Sequence, residues 1–281
     1  MKIFVATLWG LVSMSCVSAT GGIPMTDTPP PTRTITNLNA GWMYLEDNTS
    51  DLREAKAAND WQPINLPHTW NQWDAMDPIP GYRRDASWYQ KELVIAGEAE
   101  DRYLLYFEGS NITTEVYVNG TKAGGHVGGY VGFDVDITDF ITLTTSNTIS
   151  IRVDNSYNPN VIPSQKADFF IYGGITRDLW LKVLPKTHLV DIRVTSPEVT
   201  AAAATTSVMI DFGEGSAITA KHTIACTVMD AKGRVVAEKQ IKASSLGADK
   251  TVALPAINNP ALWSPDTPNL YTAEVKLMDG K

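Results

Sequence analysis

"VYVNGTKAG", residues 116–124, runs a β-type stretch into Asn119-Gly120 and out again. Asn-Gly supplies the positive φ angles of a two-residue type I′ turn, so the stretch predicts an antiparallel hairpin. The same period of two recurs outward from it. Ile149, Ile151 and Val153 alternate with Ser150, Arg152 and Asp154, and Leu179, Leu181 and Val183 with Trp180 and Lys182. Val190, Ile192 and Val194 form a third set; Val208, Ile210 and Phe212 a fourth; Ile224, Cys226 and Val228 a fifth; Tyr271, Ala273, Val275 and Leu277 a sixth. Alternation of this kind marks half-buried strands of antiparallel sheets. Only residues 51–59 read as helix, with Asp51 as cap and Glu54 as its reciprocal partner. Many short strands separated by turn signals predict an all-β chain of sandwiches.

Composition shifts at "VLPKTH", residues 183–188. Before it Trp, Tyr and Gly are frequent; after it Ala, Thr and Val dominate until Trp263. Two sandwiches are expected, over 35–185 and 186–281. The closing "LYTAEVKLMDGK" is a strand followed by an Asp-Gly turn opener, which predicts a fragment cut within its second sandwich. At the other end, Lys2, the apolar run Ile3–Val12 and the small residues Val17-Ser18-Ala19 read as a secretory signal peptide over 1–19. Lipidation at Cys16 is disfavoured, because Ser13 stands where a leucine is expected. Residues 20–34 hold four prolines and read as a flexible leader. The mature chain keeps one cysteine, Cys226, so no intrachain disulfide is expected despite export to the periplasm or beyond.

The 281 residues are 43% hydrophobic and 19% charged, enough to bury a sizeable core. A formal charge of −8 without a basic cluster argues against nucleic acid as a partner. No stretch is long and apolar enough for a membrane span, four scattered histidines offer no metal-ligand spacing, and no phosphate-binding glycine motif is present, so no metal and no cofactor are expected.

Six motifs stand in a telling order: "INLPHTWNQWD" (64–74), "GYRRDASWYQKEL" (81–93), "YFEGSNITTEVYVNG" (106–120), "GGHVGGYVGFDVDIT" (124–138), "YGGITRDLWL" (172–181) and "LWSPDTPNLYTAEVKL" (262–277). Over residues 35–281 the chain resembles family 2 glycoside hydrolases, the relatives of β-galactosidase, β-glucuronidase and β-mannosidase. The resemblance implies a jelly-roll sugar-binding domain followed by an immunoglobulin-like sandwich. It also implies a catalytic (β/α)₈ barrel, carrying two glutamates, that this chain does not contain. A retaining glycosidase needs two carboxyls about 5 Å apart. No such pair is nominated here, and Asp134, Asp136, Asp139 and Asp154 read as solvated loop charges.

By the same resemblance, Asp168 is the acid that reaches from the jelly roll into the barrel's active site to bind substrate hydroxyls. A carboxylate suits that task because it accepts two directed hydrogen bonds. Asn71 and Asp74 are candidates to line the same pocket. Gly173 and Gly174 permit a bend or a close backbone approach. Arg177, beside Asp178, is expected to hold a carboxylate and brace the loop. Phe169, Phe170 and Tyr172 are read as an interface with the barrel rather than a sugar platform, Trp88 and Tyr89 as core, and His68 and His126 as structural. "NTS", "NIT" and "NGT" match glycosylation sequons by pattern only.

The expected function is the non-catalytic N-terminal part of a secreted β-glycosidase, most like a β-galactosidase, with a terminal β-glycoside as ligand. The fragment alone is expected to be inactive. A free-standing carbohydrate-binding module is the alternative, and an adhesion sandwich is a third reading. The cleaved sugar and any homo-oligomer stay open at this stage.

Overall fold

The computed structural model describes residues 33–162 and 169–280. The expected signal peptide with Cys16, nearly all of the leader, and Asp168 lie outside the described residues. Two compact units divide between Pro185 and Lys186.

The first unit holds β1 (Thr34–Asn37), β2 (Trp42–Leu45), β3 (Gln62–Ile64), β4 (Ala86–Val94), β5 (Arg102–Phe107), β6 (Thr113–Val118), β7 (Thr121–Val127), β8 (Phe133–Asp136), β9 (Ser146–Asp154) and β10 (Leu179–Leu184). They form a six-stranded sheet, β3-β2-β4-β9-β6-β7, and a four-stranded one, β1-β10-β5-β8, with antiparallel pairing throughout. The hairpin joins β6 to β7, and Asn119 and Gly120 take φ values of 52° and 87°. Ile149, Ile151 and Val153 of β9 meet Tyr103, Leu105 and Phe107 of β5 and Leu179 and Leu181 of β10 in one apolar interior. Alternation puts the other side chains outside, as in any pleated strand.

The outer face of the six-stranded sheet has its own cover. Helix α1 (Leu52–Ala57) brings Ala55 down onto Trp88 and Leu45. Trp88 and Tyr89, neighbours in sequence, therefore serve two different cores on opposite sides of β4. The helix is shorter than the expected 51–59, and its cap differs. Asp51 Oδ1 accepts from the Arg53 N–H at 2.8 Å, but Glu54 does not return to Asp51. The Thr49 hydroxyl stands between them, donating to Glu54 Oε2 at 2.6 Å and accepting from the Asp51 N–H at 3.2 Å.

The second unit holds β11 (Leu189–Thr195), β12 (Ala203–Ala204), β13 (Ser207–Phe212), β14 (His222–Met229), β15 (Val235–Lys242), β16 (Thr251–Ala253), β17 (Ile257–Asn258) and β18 (Thr272–Asp279). Sheets β11-β13-β16 and β15-β14-β18 enclose Val208, Ile210, Ile224, Cys226, Val228 and Val252, and β12 pairs with β17. β18 pairs with β14 along all eight of its residues. Burial pushes the Cys226 thiol up to about 11, which leaves it an inert core group. One alternation is broken. Val190, expected inward with Ile192 and Val194, is exposed, because a register shift between Leu189 and Asp191 turns it out and packs Leu189 on the core instead.

Candidate active-site rim

The connections β3–β4, β5–β6 and β9–β10 of the first unit are tied together by buried amides, and β7–β8 joins them through the Gly128 N–H, which donates to the Ile112 carbonyl at 2.8 Å. Asn71 and Asn155 are 0% exposed and Asn111 is 3% exposed. Between them they hold three consecutive residues of an extended segment that lies in no sheet. The Asn155 amide donates to the Ile171 carbonyl at 3.0 Å, the Asn111 amide to the Tyr172 carbonyl at 2.8 Å, and the Gly173 N–H donates to Asn71 Oδ1 at 2.6 Å. Asn71 Nδ2 also donates to Asp74 Oδ2 at 2.7 Å and to the Arg83 carbonyl at 2.8 Å. Asn155 Nδ2 reaches Asn71 Oδ1 at 3.3 Å, and its Oδ1 accepts from the Asp85 N–H at 2.9 Å.

This network alters three expectations. Asn71, expected to line a pocket, is buried with every lone pair and proton of its amide engaged inside the protein. Asp74 is turned inward too, its Oδ2 accepting from Asn71 and from the Arg83 N–H at 2.7 Å. Arg177, expected to be the brace, is exposed and takes part in no ion pair among the described residues. Its aliphatic stem lies over Gly109. The brace is made of amides instead, which bind a backbone carbonyl and N–H at the cost of no buried charge. Asp178 accepts from Asn39 Nδ2 at 2.9 Å and so anchors the start of β10.

The two glycines are there for space. A side-chain carbon on Gly173 would collide with the Trp70 indole, and Gly174, at φ +121°, would bring one to 2.5 Å from the His68 carbonyl. Beneath them, His68 Nδ1 lies 2.9 Å from the fully buried Tyr89 hydroxyl. His68 thus ties its loop to β4, and desolvation lowers its pKa. The Tyr44 ring packs tilted against His68 with centroids 4.6 Å apart, and burial pushes its phenol up to about 12. Arg83 donates to Ser87 Oγ at 2.8 Å and lies 5.1 Å from the Trp70 ring centroid. A shallow depression opens over Pro67, His68, Thr69 and Thr176.

Above this polar floor the loops expose large apolar side chains: Trp73, Met76 and Ile79, Tyr130 and Val131, Tyr157 and Ile162, Phe169 and Tyr172. Phe170 is half-buried, stacked on Tyr82 at 4.4 Å, with Tyr172 edge-on at 6.0 Å. Several acids read as solvated loop charges are paired: Asp134 with Lys182 at 2.9 Å, Asp136 with Arg102, and Asp154 with Arg152 at 3.2 Å. Among the described residues no group of three or more His, Cys, Asp or Glu could hold a metal ion.

Sequence reasoning missed Asn111 and Asn155. The available signal was weak: each is a lone amide at the end of a strand-like run, which ordinarily reads as a turn residue.

The model for "Glycosyl hydrolases family 2, sugar binding domain" matches residues 38–185, and that for "Glycosyl hydrolases family 2" matches 187–281. The chain is 49% identical over 248 residues to the "putative beta-glucuronidase" of Formosa agariphila, covering 88% of this chain and 30% of that protein. It is 28% identical over 254 residues to the β-galactosidase of Thermoanaerobacter pseudethanolicus, covering 88% and 33%. The crystal structure of Parabacteroides merdae β-glucuronidase superposes with a TM-score of 0.76 at 31% identity, covering 87% of this chain and 34% of that one. The chain thus spans about a third of the length of the curated relatives it matches. With one family model over more than half of its residues and a second over most of the remainder, this chain belongs to glycosyl hydrolases family 2.

Proposed function

We propose that this chain is the N-terminal, non-catalytic part of an exported β-glycosidase, and that the loop end of its first sandwich forms one wall of the substrate pocket of a catalytic domain elsewhere in the protein. The observation that carries this reading is a floor braced by buried amides on β3–β4, β5–β6 and β9–β10, paired with exposed apolar side chains on β3–β4, β7–β8 and β9–β10. An apolar patch of this kind on a fixed support is what an interdomain contact requires. Asp168 stays the proposed substrate acid on the strength of its place in the motif. Asn71 and Asp74 act on the pocket indirectly, by holding the loops.

The free-standing binding module would use an aromatic sheet face. Tyr106 and Trp180 do sit side by side on the outer face of the four-stranded sheet, but Lys182 Nζ lies 3.5 Å over the Tyr106 ring and covers it. That face favours the enzyme reading.

The test is to express the full-length protein and the 281-residue chain separately and assay aryl β-galactosides and β-glucuronides. The full-length protein is expected to cleave one of them and the 281-residue chain neither. Turnover by the purified chain, or none by the full-length protein, refutes the reading. Export is checked by N-terminal sequencing of the secreted protein, with Thr20 expected first.

A further inference from the structure

Asn111 is a poor choice for stability alone. Its side chain is 3% exposed, its Oδ1 has no hydrogen-bond partner, and its amide makes one side-chain hydrogen bond, to the Tyr172 carbonyl. A buried acceptor left unmatched is destabilising and offsets what the bond to the Tyr172 carbonyl contributes. The oxygen is wedged against Gly129, where any side-chain carbon would collide with it. The neighbouring backbone does not need the amide either, since Asn111 and Gly174 already exchange N–H···O bonds at 2.9 and 3.3 Å. What the amide does is hold the carbonyl end of the Tyr172–Gly173 peptide, whose N–H end is held by Asn71, while Asn155 holds the preceding Ile171–Tyr172 peptide.

The residue so clamped is Tyr172. The residue is 40% exposed, and its ring rests edge-on against Phe170, which stacks on Tyr82. Three buried amides and an aromatic backstop leave this side chain little freedom, although no sheet holds its backbone. An exposed, pre-positioned aromatic ring presents a flat apolar face, and the C–H face of a pyranoside is the ligand surface that matches it.

We infer that Tyr172, apart from the rest of the exposed apolar crown and against its sequence reading as barrel interface, is a sugar-contacting residue of the pocket and that Asn111 is its positioning residue. This rests on the proposed function and deepens it, naming a contact to the pyranoside ring that is separate from any carboxylate.

The experiment uses the full-length protein with the aryl β-glycoside it cleaves, and compares wild type, Tyr172→Phe, Tyr172→Ala and Asn111→Ala. Tyr172→Ala is expected to raise KM about ten-fold with kcat within about two-fold, the signature of lost ground-state and transition-state binding alike. Tyr172→Phe keeps the ring and is expected to keep KM. Asn111→Ala strands the Tyr172 carbonyl but removes an orphaned acceptor, so it is expected to raise KM about five-fold with kcat within about two-fold, and to lower the melting temperature less than Asn155→Ala, which strands two groups. A merely structural role predicts kcat falling with the melting temperature while KM stays unchanged, and that result overturns the inference. So does a KM indifferent to Tyr172→Ala. A wild-type protein that cleaves no β-glycoside overturns the proposed function and this inference together, whereas an active enzyme indifferent to the substitutions overturns the inference alone.

Discussion

The interior between the two sheets of the first unit and the floor of its loop end are both buried, yet they are held by opposite means. Between the sheets, Ile149, Ile151, Val153, Leu105 and Phe107 are all 0% exposed and carry no polar side-chain atom. At the loop end, the amides Asn71, Asn111 and Asn155 are buried as deeply, beside Ile112 and Ile171. Strands satisfy their own backbone through the ladder, so their inward side chains are free to be apolar. The segment Ile171–Gly173 has almost no ladder, and side-chain amides must supply the missing partners. Non-directional packing therefore builds the scaffold, and a few directed bonds place the rim.

The largest expected effect comes from the apolar side. Ile151→Ala should cost about 2–5 kcal/mol in chemical denaturation, since a fully buried side chain leaves a cavity that its neighbours only partly fill. Next comes Asn155→Ala, which strands the Ile171 carbonyl and the Asp85 N–H and should cost on the order of 3 kcal/mol. If the amide change costs nothing measurable, the loop end is packed like the core and the contrast collapses.

A smaller effect concerns pH. His68 is shielded from water and its pKa is lowered from 6.5, so the folded state resists protonation that the unfolded chain accepts. Stability is then unaffected above about pH 6.5 and declines as pH falls through that value toward the folded-state pKa. Thermal melts of wild type and His68→Gln between about pH 5 and 8 should show the steeper acid-side loss in wild type. Parallel curves would mean that the loop end opens to water before His68 titrates.

The smallest effect should be Arg177→Ala. An exposed guanidinium without an ion pair should change unfolding by no more than about 0.5 kcal/mol. A loss of several kcal/mol would restore a charge brace at this loop and sharpen the comparison in the other direction.

The strand plan was legible in the sequence because alternation is a local consequence of the pleat. Ile149–Val153, Leu179–Val183 and Ile224–Val228 each report their own face whatever lies across from them. Asn119-Gly120 reports its turn for the same reason, since positive φ is a property of those two residues. Val190 escaped because a bulge depends on the partner strand, and the Thr49 link between Asp51 and Glu54 escaped because Thr49 itself stands outside the helix. Gly173 and Gly174 could be marked from sequence as places needing room, but the Trp70 ring that fills that room comes from a hundred residues away. The same holds for the clamp. Nothing local distinguishes Asn71, Asn111 and Asn155 from ordinary turn residues, and nothing local demotes Arg177. Their roles are set by contacts of 16 to 102 residues in sequence separation, which exist only once both sheets have closed. By itself the sequence determined where strands and turns stand. The tertiary structure alone decided which polar groups are buried together, because a hydrogen bond depends on distance and direction in space and leaves no period along the chain.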